Sequence, residues 1–228
     1  MSGSATPRVL LSAGALARNA REHAAGAVVD LRYDAYGHGV DETARILHAA
    51  GVSGVLVSSE DEARRLTASG VPASTSAAPD VDIPLLLGIP VDGAAQTEPV
   101  MSLQGRVLST KPLRAGEAVS YGYTHRAAAD TRVALVSGGY AQGILRALGN
   151  RVRVQVDGRA HPIVGRIAMD VCVVDLERAD AAIGTPVVYF GGDGPVRGAL
   201  ADWSAAAGLE ALELAAVIGQ HGERSWQA

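Results

Sequence analysis

Between residues 27 and 69, short apolar runs alternate with helix-length amphipathic segments, and this rhythm constrains the fold more than any other feature. Ser12 is placed to cap a helix from about Ala13 to His23, with Leu16 and Ala20 four apart on one face. Residues 27–31 read as a strand, and residues 32–39 as a polar turn punctuated by Gly37 and Gly39. A second helix is expected over about residues 41–50, closed by Gly51, before a strand at residues 52–57. Ser59 with Glu62 three residues on is a capping box for a third helix over about residues 60–69. After a loop rich in Pro, Ala, Ser and Asp, the apolar run 83–89 reads as a third strand. Helix-length crossovers make such strands parallel and buried on both faces. Ligands then meet the carboxyl ends of the strands, where the 32–39 turn sits.

From Met101 the texture changes. Short alternating runs at residues 106–108, 131–136, 152–156, 163–164, 171–176 and 186–190 are separated by turn signals such as Gly138-Gly139 and Asp157-Gly158. Strands at this spacing predict a small sandwich or barrel. Two helices, about residues 199–207 and 210–218, follow. The expected fold class is therefore α/β plus β: a truncated, incomplete α/β-barrel-like part over residues 1–92 and a β-barrel or sandwich domain over residues 93–228, with the junction near residues 91–99.

Composition narrows the function. The 228 residues are 48% hydrophobic and 19% charged, enough for a sizeable core and unlike a disordered chain. A net charge of −4 gives no reason to expect nucleic acid or an anionic membrane as partner. No apolar run approaches the roughly 18 residues of a spanning helix, and the first residues lack a signal-peptide pattern, so a cytoplasmic protein is expected. Cys172 is the only cysteine, and neither it nor the six histidines show metal-ligand spacing. Of the 20 basic residues 19 are Arg, so Lys111 is the one candidate for any lysine chemistry.

The residues Asp34-Ala35-Tyr36-Gly37-His38-Gly39 resemble the cofactor segment of alanine racemases, the fold-type III pyridoxal phosphate enzymes. The resemblance continues through Val119-Ser120-Tyr121-Gly122 and Gly139-Tyr140-Ala141-Gln142-Gly143, and is strongest at Pro162-Ile163-Val164-Gly165-Arg166-Ile167-Ala168-Met169-Asp170. It implies an N-terminal eight-stranded α/β barrel, a C-terminal β domain and a head-to-tail dimer. A complete barrel takes about 200–250 residues, so most of it is missing here, with the family groups that hold the phosphate, contact the pyridine nitrogen and clamp the substrate carboxylate. Leu85-Leu86-Leu87-Gly88-Ile89-Pro90 looks like the last barrel strand.

The resemblance also implies departures at the chemistry. Arg32 stands where the family has its Schiff-base lysine, and a guanidinium forms no such adduct at neutral pH. His125 stands where the family has a tyrosine base, and Gln142 where it has an aspartate. Leu212 matches, weakly, a phosphate-contacting tyrosine. Tyr36 matches the tyrosine that reaches the cofactor phosphate, Tyr140 one lining the substrate entrance, and Met169-Asp170 the segment that meets the substrate carboxylate. Tyr121 and Tyr123 join Tyr36 and Tyr140 as candidate pocket lining in a chain with 4% aromatics, although tyrosines packing turns would look the same.

Arg32 reads as an anion clamp at a strand end, or else as a structural ion pair with Asp30 or Asp34. His125 reads as a general acid or base, from the same or the partner subunit, or else as a surface histidine beside Arg126. His38 is expected to fix its turn by a hydrogen bond. The leading expectation is an enzyme needing no cofactor that performs isomerisation, elimination or cyclisation on a small anionic or amino-acid-like substrate, with Arg32 and His125 catalytic. Alternatives are a non-catalytic ligand- or partner-binding descendant, and a residual pyridoxal phosphate racemase using Lys111. A homodimer with shared active sites is expected in each case.

Overall fold

The computed structural model describes residues 6–91 and 97–228; the expected junction at 91–99 falls partly, and the first five residues wholly, outside them. The chain opens with strand β1 (Arg8–Ser12) and helix α1 (Ala13–His23). The Ser12 hydroxyl accepts from Ala15 N at 3.1 Å, as a capping residue should. A Ser12→Ala variant is expected to lose about 1 kcal/mol of stability, read as a lower thermal midpoint. There follow β2 (Val28–Asp30), a short helical element α2 (Arg32–Gly37), α3 (Val40–Ala49), β3 (Gly54–Leu56), α4 (Glu60–Ala68) and β4 (Ala73–Ser74). Strands β2, β3 and β4 form a parallel three-stranded sheet. Half of the expected capping box forms: Ser59 Oγ accepts from Glu62 N, but the Glu62 carboxylate turns to Ser58 N instead of closing the box.

The run at 83–89 is not a strand. Ile83–Leu87 is helix α5, so no final barrel strand is present there. Pro84 in the first turn is tolerated because its missing N–H would have no helical acceptor, and Gly88 ends the helix at φ 65°. The side chain of Asn19 on α1 then donates to Leu86 O and Glu98 O, tying the helix down.

The second part contains β5 (Met101–Leu113), β6 (Ala118–Val119), β7 (His125–Arg126), β8 (Thr131–Ser137), β9 (Arg153–Val156), β10 (Arg159–Val164), β11 (Val171–Glu177) and β12 (Pro186–Phe190). Six of them close a barrel in the order β12-β9-β10-β11-β8-β5, with β5 pairing back to β12. The chain ends with α6 (Ala199–Ala207), α7 (Ala211–His221) and β13 (Glu223–Gln227). The barrel's sheet also takes in both chain ends: β1 pairs antiparallel with the first residues of β5 and parallel with β13. Asp157-Gly158 makes the tight turn between β9 and β10, both residues at positive φ. At the barrel's end Trp203 is fully buried against Phe190 and Tyr189, edge to face, while Tyr189 donates to Ser137 O. No helix among the described residues is long and apolar enough to cross a membrane.

Candidate functional site

The turn at the carboxyl end of β2 winds left-handed. Tyr33, Asp34, Ala35 and Tyr36 have φ between 51° and 59°, and Gly37 follows at 84°. Left-handed geometry costs an L-residue roughly 1–2 kcal/mol each, so four in a row persist only where the surroundings dictate them. Here they do. Asp34 Oδ1 accepts from Val40 N at 2.8 Å, and Tyr33 N donates to Ser58 Oγ at 2.8 Å. Arg224 of β13 binds the Asp34 carboxylate and donates to Gly37 O at 3.2 Å. His38 is fully buried, with Nδ1 3.1 Å from Ala35 O and 3.3 Å from Tyr36 O, as expected of a turn-fixing histidine. Both neighbours are carbonyls, so Nδ1 carries the proton.

Asp30 is the hub of this turn. Arg32 Nε donates to Asp30 Oδ1 at 3.0 Å and Arg32 Nη2 to Oδ2 at 2.6 Å, a bidentate pair. Arg32 N also donates to Oδ1, and the Tyr36 hydroxyl donates to Oδ2 at 3.0 Å. Burial pushes the Asp30 carboxyl up, but the bonds from Arg32 and Tyr36 outweigh it and hold the group below the usual carboxylate range. Burial and the Asp30 carboxylate both raise the Tyr36 hydroxyl, and Asp30 raises the Arg32 guanidinium. Arg32 is thus in the ion pair with Asp30, and Tyr36 points at the same carboxylate.

The remaining predicted residues fall into separate groups on the barrel. Tyr121 and Tyr123 lie on the 3₁₀ turn Tyr121–Tyr123, 74% and 68% exposed, and line a trough on the barrel surface. His125 is on β7 of the neighbouring hairpin, its Nε2 buried without a partner. Tyr140 stacks under Arg146 at 5.0 Å, and its N–H donates to Ala168 O, which brings it beside Met169 and Asp170. Gln142 reaches Asp170 at 3.5 Å and accepts from Gly139 N. Arg32 and Tyr36 come together, and so do Tyr140, Met169 and Asp170. No hydrogen bond, ion pair or ring contact among the described residues joins His125 to Arg32 or Tyr36. The turn's supports Arg224 and Ser58 have no local sequence signature; they lie 190 and 25 residues from their partners.

The amine and thiol of the chain lie elsewhere. Lys111 is eight residues along β5 from Leu103, about 26 Å at the usual strand rise. Leu103 pairs with Val9, which in turn pairs with Arg224, so that end of β5 is the one near the turn. Cys172 is buried, and burial pushes its thiol up to about 12, which leaves no thiolate at neutral pH. Among the described residues no cluster of His, Cys, Asp and Glu could hold a metal ion.

A parallel α/β sheet carrying a strand-end turn, followed by a closed six-stranded antiparallel barrel, defines a two-part α/β-plus-barrel protein. Residues 13–98 match the family model of the alanine racemase N-terminal domain, and residues 100–226 that of the C-terminal domain. The chain belongs to the alanine racemase family. It is 40% identical over 152 residues to the alanine racemase of Mycolicibacterium vanbaalenii, covering 66% of this chain and 39% of that protein. It is 39% identical over 172 residues to that of Chlorobaculum tepidum, covering 73% and 40%. The chain therefore spans about two fifths of the curated relatives it matches. In structure it is similar to the alanine racemase of D-cycloserine-producing Streptomyces lavendulae, with TM-score 0.82 at 19% identity, covering 100% of this chain and 98% of that one. The enzyme from E. faecalis gives 0.81 at 17% identity, covering 97% and 98%.

Proposed function

We propose that this member of the alanine racemase family does not carry out racemisation on a lysine-anchored pyridoxal phosphate, and that it is a ligand- or partner-binding descendant. The bidentate Arg32–Asp30 pair carries this reading. Where the resemblance puts the cofactor's lysine, β2 ends in a guanidinium whose donors are committed to a neighbouring carboxylate. Tyr36, matched to a phosphate contact, donates to that same carboxylate. The only lysine is far along β5, so the residues at the turn do not fit the cofactor. The expected anion clamp is weakened as well, because Asp30 neutralises Arg32. Within one chain, Arg32 is held by Asp30 and no contact among the described residues joins it to His125, so the pair has no common site there.

A second reading, acid–base catalysis without the cofactor, is favoured by one observation: His125 Nε2 has no protein hydrogen-bond partner, so that ring nitrogen is not committed to the fold. The homodimer belongs to both readings as what membership of the family suggests.

The test is proton exchange at the α-carbon of alanine. The purified chain with added pyridoxal phosphate in D₂O is expected to leave the α-proton signal of alanine unchanged by NMR. Borohydride treatment of the same mixture is expected to leave residues 27–39 unlabelled in a peptide map. Deuterium entering alanine at a rate abolished in Lys111→Arg would make the chain a residual racemase and end the proposal. Deuterium entering without added cofactor, and lost in His125→Gln, would select the acid–base reading instead.

A further inference from the structure

We propose that the end of the barrel at the β9–β10 turn is a binding site for a small zwitterion, an amine and a carboxylate on a short apolar body, separate from the strand-end turn. Alternate residues of a barrel strand point inward, and the inward row of β10 is Arg159, His161 and Ile163. His161 stands opposite Val154 of β9, and Arg159 opposite Val156. The interior here is otherwise apolar: Val154, Val156, Ile163, Leu176 and Val187 are all buried. His161 is 4% exposed, and its Nδ1 is buried with no hydrogen-bond partner. The Cys172 thiol and the Tyr189 hydroxyl, also buried, contact each other, and Tyr189 donates to Ser137 O. An imidazole among valines costs stability unless something pairs with it. A histidine placed there without a partner in the fold points to a ligand.

His161 lines a cavity of about 320 Å³ together with Val156, Asp157, Arg159, Ala179 and Asp180. Its size and its place at the end of a barrel are those of small-molecule sites. Strand β12 runs from Pro186 at this end to Phe190, which packs on Trp203 at the other. Strand β10 runs about 17 Å from Arg159 to Val164, and its length separates the cavity from the segment that holds Met169 and Asp170. The rim carries both signs of charge. The Asp157 carboxylate and the Arg159 guanidinium make no ion pair or hydrogen bond among the described residues. Asp180 Oδ1 accepts from Ala181 N at 3.0 Å and lies 3.6 Å from Arg132 Nε. His161 and the two aspartates form no metal-holding cluster, which removes a metal ion as the occupant. Arg159 and His161, two apart on one face, are placed to donate to one carboxylate, and Asp157 and Asp180 to accept from an ammonium. Val156 and Ala179 supply the apolar floor between them.

L-Norvaline is the probe. Titrated into the ¹⁵N-labelled full chain, it is expected to shift the amides of residues 157–161 and 179–181 saturably. Butylamine and pentanoate, each lacking one of the two charges, are expected to bind at least tenfold more weakly. Asp157→Asn and Arg159→Gln are each expected to weaken norvaline about tenfold, the usual effect of losing one charge-assisted contact. Asparagine suits the φ of 46° at residue 157, so that variant keeps the turn. His161→Leu is expected to hold or raise the thermal midpoint, because the ring has no partner to lose, and yet to weaken binding. Unsaturable shifts, equal affinity for butylamine or pentanoate, or unchanged affinity in both rim variants would overturn the proposal. So would shifts gathered at Tyr36 and His38, which would assign the zwitterion to the strand-end turn. None of these outcomes bears on proton exchange at alanine, so this site and the proposed function stand or fall separately.

Discussion

Gly219→Ala is expected to destabilise the protein by about 2–3 kcal/mol, even though alanine is the better helix former by about 1 kcal/mol. Gly219 lies in α7, where the helix touches the left-handed turn backbone to backbone. A Cβ there would sit 2.1 Å from Gly37 O and 2.8 Å from Gly37 Cα. Neither atom can swing aside as a side chain could. Gly37 is itself at φ 84°, and a Cβ built on it would in turn sit 2.7 Å from Ala216 O and 3.1 Å from Gly219 Cα. The helix must move off the turn or the turn must unwind. Gly14→Ala in α1 is the matched control: its Cβ would meet only the guanidinium tip of Arg18, which can move. That variant should gain up to about 1 kcal/mol, so two helical Gly→Ala changes should have opposite signs. Urea midpoints of the two variants against the parent check this. A stable Gly219→Ala protein would mean that α7 does not clamp the turn. Because Arg32 and Tyr36 hang from that turn, the variant is also expected to lose whatever ligand the turn binds.

What the sequence made legible follows the range of the interaction involved. Ser12, the α1 helix, the Asp157-Gly158 hairpin and the α6 span rest on contacts within a few residues, and all were readable. The run 83–89 was not, because five apolar residues suit a buried strand as well as a helix; only Pro84 and Gly88 as its punctuation distinguish them. Strands β1 and β13 carry no local signature because each is defined by a partner more than 200 residues away or across the domain junction. At the turn, the Arg32–Asp30 pair was visible as an option two residues apart. The left-handed winding was not, since four non-glycine residues are held there by Arg224 and Ser58 from distant segments. The trough was readable in principle: Val133, Leu135, Val171 and Val173 break the polar-out alternation that a barrel strand facing water would show.

The second large effect is a pH dependence set by His38. Its imidazole is fully buried in the turn, with Nδ1 donating to backbone carbonyls and Nε2 unpartnered. Burial, far more than the nearby Arg224, lowers its pKa from 6.5 to about 4, while the carbonyl contacts and Asp34 only partly oppose the shift. In the unfolded chain the histidine takes up a proton as pH falls through 6.5; in the folded chain it does not until about 4. The unfolded state therefore binds more protons across that window, and stability is full above pH 6.5 and falls as pH drops towards 4. The loss amounts to roughly 3 kcal/mol for a shift of this size. His38→Asn keeps a donor near the Nδ1 position and removes the titration. It is expected to be less stable at pH 7 through lost packing, yet to show a flatter dependence between pH 6.5 and 4. Urea midpoints across that range give both slopes, and parallel slopes would show that the histidine is not what titrates. Since the added proton goes to the buried, unpartnered Nε2 and leaves a desolvated cation in the turn, the same acidification should loosen the left-handed turn first. Hydrogen exchange at Ala35, His38 and Gly39 should accordingly quicken before the barrel amides do.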